Sequence, residues 1–85
     1  MNENEPKQEI KKLTENEATS LLVNFLEQNG IKKDEIQIFG SRYFESQKGG
    51  RWEFEVEFGA VNPSGLFIVY ANERVEDNYG VLNKR

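Results

Sequence analysis

Eighty-five residues allow one small domain, which buries about 60% of its unfolded surface and therefore has a modest core. A formal net charge of −4 lacks the basic footprint that nucleic acid requires, and the absence of cysteine and histidine removes disulfides, thiolate nucleophiles, the commonest general base and the commonest metal ligand. No apolar run approaches the ~20 residues that span a bilayer, and Met1 to Lys12 lacks the apolar stretch of a secretory signal.

The chain opens with MNENEPKQEIKK, a polar tail over residues 1–12, and the single domain is expected over residues 13–85. LTENEATSLLVNFLEQNGI predicts a helix over residues 15–28. Thr14 and Glu17 stand at capping-box spacing, with Leu13 and Ala18 placed as a hydrophobic staple. Ala18, Leu21, Leu22, Phe25 and Leu26 form one apolar stripe. Gly30 is placed for a left-handed cap, with Ile31 folding back on Leu26.

After the charged link KKDE, the segment IQIFGSRYFES predicts a strand over residues 36–46, kinked at Gly40. Plain alternation puts Ile36 and Ile38 on one side and Phe39 and Tyr43 on the other. QKGG supplies a turn, and RWEFEVEFGAV is a strand of strict period two. NPSG carries a type I turn signature. LFIVYA is apolar throughout, so both of its faces are expected to be at least partly covered; NER then turns the chain, and VEDNYGVL predicts a short last strand ending near Leu82.

This order predicts an α+β fold: one N-terminal helix packed on a three- to four-stranded antiparallel meander, in two layers. Trp52, Phe54, Val56 and Phe58 face the helix. Glu53, Glu55 and Glu57 face outward beside alternate residues of LFIVYA, either Phe67, Val69 and Ala71 or Leu66, Ile68 and Tyr70. Either set gives a mixed outer face, an acidic ladder beside an apolar row. The tail or the terminal NYGVL is available to cover it; left open, such a face suits a partner.

The three glutamates are poorly arranged for chemistry. Same-face residues of a strand lie about 6.5–7 Å apart, too far to favour convergence on one cation, and a flat ladder does not push two carboxyl pKa values apart. Their expected role is a solvated face neutralised by Arg42, Lys48 and Arg51, or a docking strip for a basic partner. KGGRWEFEVEF faintly echoes the aromatic strand of RNA-recognition domains, but glutamates alternate with its aromatics and no βαβ pattern surrounds it. No nucleic-acid partner, catalytic residue, cofactor or metal is therefore expected.

Read together, LTENEA, GRWEFEVEF and LFIVYANERVEDN resemble a PepSY-type domain over residues 14–82, similar to cystatin-like folds. The family's closing D-x-x-T-G-x-V turn reads ANERVED here, without the Thr-Gly pair. The resemblance implies a protein-binding or inhibitory role in the bacterial cell envelope, favoured over the cytoplasm, often as a lipoprotein. Met1 would then stand where a lipid-bearing start was truncated. The expected function is non-enzymatic binding of a protein or peptide through the open face of the sheet, by Glu53, Glu55, Glu57, Phe67, Val69 and Tyr43. The alternative is a structural domain that pairs that face with its own copy.

Overall fold

Helix α1 spans Glu15–Gln28, and local chemistry sets both its ends. The Glu17 N–H donates to Thr14 Oγ1 at 3.1 Å, and the Thr14 N–H donates to the Glu17 carboxylate at 2.9 Å, closing the capping box. At the far end Gly30 takes φ 90°. Its N–H donates to the Glu27 carbonyl and that of Ile31 to the Leu26 carbonyl, the two bonds of a Schellman motif. Ile31 thereby returns to the core beside Leu26. The computed structural model describes residues 12–46, 49–59 and 64–84; residues 1–11 of the tail, Gln47 and Lys48 of the first turn, and Asn62 and Pro63 of the expected type I turn lie outside them.

A short 3₁₀ turn, Lys33–Glu35, leads into a four-stranded antiparallel sheet. Its strands are β1 Ile36–Phe44, β2 Arg51–Phe58, β3 Gly65–Tyr70 and β4 Val75–Asp77, adjacent in chain order. The helix stripe of Ala18, Leu22 and Leu26 is fully buried against one face. Phe54, Val56, Phe58, Phe67 and Val69 meet it there, with Phe67 ringed edge-on by Phe25 at 6.3 Å and Phe58 at 5.8 Å. Each such side chain removed from water contributes about 1.5–3 kcal/mol. Trp52 ties the two layers together, since its indole N–H donates to the Leu13 carbonyl at 3.0 Å.

The kink expected at Gly40 is a β-bulge, and it reverses the parity of β1. Ile38 pairs with Val56 but Gly40, not Phe39, pairs with Glu55. The extra residue leaves Phe39 55% exposed at the sheet edge. Beyond it, Ser41 and Tyr43 face the helix, opposite Phe54 and Trp52. The Ser41 hydroxyl accordingly donates to the Glu15 carboxylate. Strict alternation would have put Tyr43 on the outer face; one inserted residue moves it to the inner one.

The last expected strand is shorter than its sequence suggests. β4 ends at Asp77, whose carboxylate accepts from the N–H groups of Val81 and Leu82 at 3.0 and 2.9 Å. That cap curls the chain into a 3₁₀ turn, Val81–Lys84. Val81 joins the core cluster on the helix side, so of the terminal NYGVL only Asn78 and Tyr79 border the outer face.

Candidate functional site

The register places the outer face in cross-strand rows. Arg42, Glu53, Ile68 and Glu76 form one; Gly40, Glu55 and Leu66 form the next; Gln37 and Glu57 follow. All three predicted glutamates share this face. Glu53 is partly buried and accepts from Arg51 Nε at 2.9 Å, while Arg42 faces it from β1 without forming an ion pair. Glu55 is exposed, and its carboxylate lies over Gly40, where a side chain would collide with it. Glu57 stands opposite Gln37.

The other three predicted residues are elsewhere. Phe67 and Val69 are 0% exposed and lie on the inner face, so no partner reaches them in the folded domain. Leu66, Ile68 and Tyr70 occupy the outer positions of β3 instead. Tyr43 follows the bulge to the inner side, where its hydroxyl donates to the Gly49 carbonyl at 3.2 Å and its ring packs 5.2 Å from that of Trp52, under the Lys12 ammonium. The phase of β3 had one available clue. Tyr70 carries a hydroxyl that belongs at a wet face, and the strand's other residues follow from it.

Ile68 is only 6% exposed yet does not belong to the helix-side cluster. It sits on the outer face between Glu53 and Glu76, whose chains stand beside it in register. The Tyr70 hydroxyl donates to Glu76 Oε1 at 2.6 Å, and Asn78 donates to Oε2 at 3.2 Å. The Tyr70 bond, seconded by Asn78, holds the Glu76 carboxyl below its ordinary range. The same bond, with partial desolvation, raises the Tyr70 phenol.

Among the described residues, grooves of nearly equal volume differ in chemistry and not in size. One, of about 330 Å³, runs between α1 and the β3–β4 turn past Leu13, Leu21 and Glu73. A second, of about 340 Å³, crosses the middle of the outer face from Gly40 and Arg42 over Glu53 and Glu55 to Leu66 and Tyr79. Tyr79 is 56% exposed at its rim. A third, of about 320 Å³, lies at the end of the sheet between Arg51, Tyr70 and Arg74. The sequence left Leu66, Ile68 and Tyr70 as one of two possible outer sets, and the register selects them; Tyr79 and Arg74 were missed as outer-face residues, because only the fold brings them beside that set.

Among the described residues, no group of three or more Asp or Glu side chains is arranged to hold a metal ion, and no helix is long and apolar enough to cross a membrane. No protein-family model matches the chain, and no curated protein or solved structure matches it.

Proposed function

We propose that this domain is a non-catalytic binding module that takes a protein or peptide on the outer face of its sheet. The observation that carries the reading is the central groove, where Leu66 and the exposed Tyr79 stand beside Glu53 and Glu55 and no described helix or strand crosses them. An apolar row with an aromatic at its rim supplies contact area, and carboxylates beside it select for basic or hydrogen-bonding partners. The resemblance to PepSY-type domains supports the same class of function. Glu53, Glu55 and Glu57 keep their proposed role, whereas Leu66, Tyr70 and Tyr79 replace Phe67, Val69 and Tyr43.

A photo-crosslinking residue at position 79, compared with one at the exposed position 28 on α1, tests this. A discrete partner captured from position 79 alone, and lost when Leu66→Ser or Glu53→Gln/Glu55→Gln is added, is the expected result. Equal capture from both positions, or capture indifferent to the added substitutions, would sink the reading.

Phe39 favours a second reading, self-association. It is exposed at the bulge of β1, an edge strand with no partner on its outer side among the described strands. Light scattering over a concentration series separates the two. Mass that rises with concentration and falls back on Phe39→Ser supports the oligomer; a constant monomer removes it.

A further inference from the structure

The last row of the outer face differs in charge from the rest. It runs Phe44, Arg51, Tyr70 across β1, β2 and β3, and ends on Arg74, whose carbonyl accepts from the Tyr70 N–H at 2.9 Å. Aromatic and cation alternate along it. The Arg51 guanidinium lies 4.6 Å from the Phe44 ring centroid and that of Arg74 4.4 Å from the Tyr70 centroid. A guanidinium held over an aromatic ring still has N–H donors to offer a ligand. Arg51 gives only its Nε to Glu53; its terminal nitrogens, and the whole Arg74 guanidinium, have no hydrogen-bonded partner among the described residues. Asn72 Oδ1 accepts from the Arg74 N–H at 3.0 Å and fixes the turn that presents this arginine.

We propose that the groove between Arg51 and Arg74 binds the C-terminal carboxylate of an extended peptide. Two flat donor forks on either side of one tyrosine match a planar, singly charged carboxylate. The adjacent row carries Glu53 and Glu76, and these repel a phosphate or any polyanion more strongly than a monoanion. Among the described residues no strand continues past this row, so a segment that runs along the outer face can end there, and a chain terminus supplies the carboxylate. The inference rests on the outer face being a peptide-binding surface, and it names which end of the peptide the face recognises.

The test is an NMR titration of the labelled domain, following backbone amides and arginine Nε–H signals. The probes are N-acetyl-Ala-Val-Ala as the free acid, the same peptide as its amide, N-acetyl-Ala-Glu-Ala amide, and inorganic phosphate. Saturable shifts at Arg51, Tyr70, Asn72 and Arg74 with the free acid are expected. They should weaken about fivefold in the amide and in Arg74→Gln, the scale of an exposed ion pair, with partial recovery in Arg74→Lys. Equal binding of acid and amide, tighter binding of phosphate, or shifts centred on Lys32 and Lys33 would overturn the proposal. Equal binding of the glutamate-bearing amide would overturn the choice of a chain terminus. Capture from position 79 that survives Arg74→Gln, with no carboxylate-dependent shifts, would defeat this inference and leave the proposed function standing. Carboxylate-dependent shifts without capture from position 79 would support carboxylate binding at the end row but remove the central groove from the proposed function.

Discussion

The two faces of β2 come from eight consecutive residues, yet they are held in different ways. On the inner face Phe54 and Val56 are fully buried, and Trp52 adds a hydrogen bond to the start of the helix. On the outer face Arg51, Glu53, Glu55 and Glu57 are organised by one ion pair, by stacking and by register. The inner face is fixed by exclusion of water and answers to volume. The outer face is fixed by weak pairwise contacts with solvent nearby, so its composition is far less constrained by folding and is open to selection for binding. The sharpest way to break this contrast is Phe54→Ala against Glu55→Gln. The first should lose about 3–5 kcal/mol in urea unfolding, a large share of the stability of a domain this small. The second should stay within about 0.5 kcal/mol. Comparable losses would mean that the outer face is also structural.

Two strand glycines sharpen the same contrast without touching a large side chain. A Cβ at Gly65 would stand 2.6 Å from Phe67 Cε1 and 2.9 Å from Val81 Cγ2, and Phe67 is locked in the core. A Cβ at Gly40 would stand 2.5 Å from Glu55 Oε1, the free end of a solvent-exposed chain that can swing away. Gly65→Ala should therefore cost about 1–3 kcal/mol and displace the terminal turn, visible as shifts at Val81 and Leu82. Gly40→Ala should leave those signals in place and change the unfolding midpoint little. A large loss from Gly40→Ala would show that the bulge itself depends on glycine.

How much of this was legible in the sequence depended on whether the signal was local. Both helix ends could be read because a capping box and a Schellman motif are each written within a few residues, Thr14 to Glu17 and Leu26 to Ile31. The inner face of β2 was legible because its alternation is strict. The α+β architecture followed from those two elements and the short turns. Tyr43 was misplaced because a bulge shifts parity by one residue, and Gly40 marks a bend without stating which residue is extra. Phe67 and Val69 were misplaced because β3 is apolar on both faces, so alternation offers two phases and decides neither. The Phe44–Arg51–Tyr70–Arg74 row was invisible because its members come from different strands and a turn and meet only through register.

The turn that joins the faces on one side holds a residue belonging to neither. Glu73 takes φ 74°, with its N–H donating to the Tyr70 carbonyl at 2.8 Å. The left-handed region costs an L-residue about 1–2 kcal/mol, and glycine avoids that at some loss of unfolded-state entropy. Glu73→Gly should thus stabilise the domain by about 0.5–1 kcal/mol, read as a raised urea midpoint with an unchanged slope. A loss of stability would assign the Glu73 side chain a contact that outweighs its backbone strain.

The smallest expected effect tests whether any outer-face carboxylate contributes through its charge. Glu76 accepts from the Tyr70 hydroxyl, and the bond lowers its pKa in the folded state. A depressed carboxyl stabilises the fold above its unfolded pKa, about 4.3, and that contribution is lost as pH falls through the folded value. For Tyr70 the raised pKa works in the other direction: its contribution is full below the unfolded value, about 10, and is lost as pH rises through the folded one. The difference in urea midpoint between the natural chain and Glu76→Gln should therefore be a plateau around neutrality that collapses at both extremes. Solvent screening of two partly exposed groups keeps it below every other effect above. A difference that persists in acid would instead trace Glu76 to its packing beside Ile68. That result would extend the rule of the inner face, volume over charge, to one row of the outer face, and leave the end row of Arg51 and Arg74 as the place where charge alone is decisive.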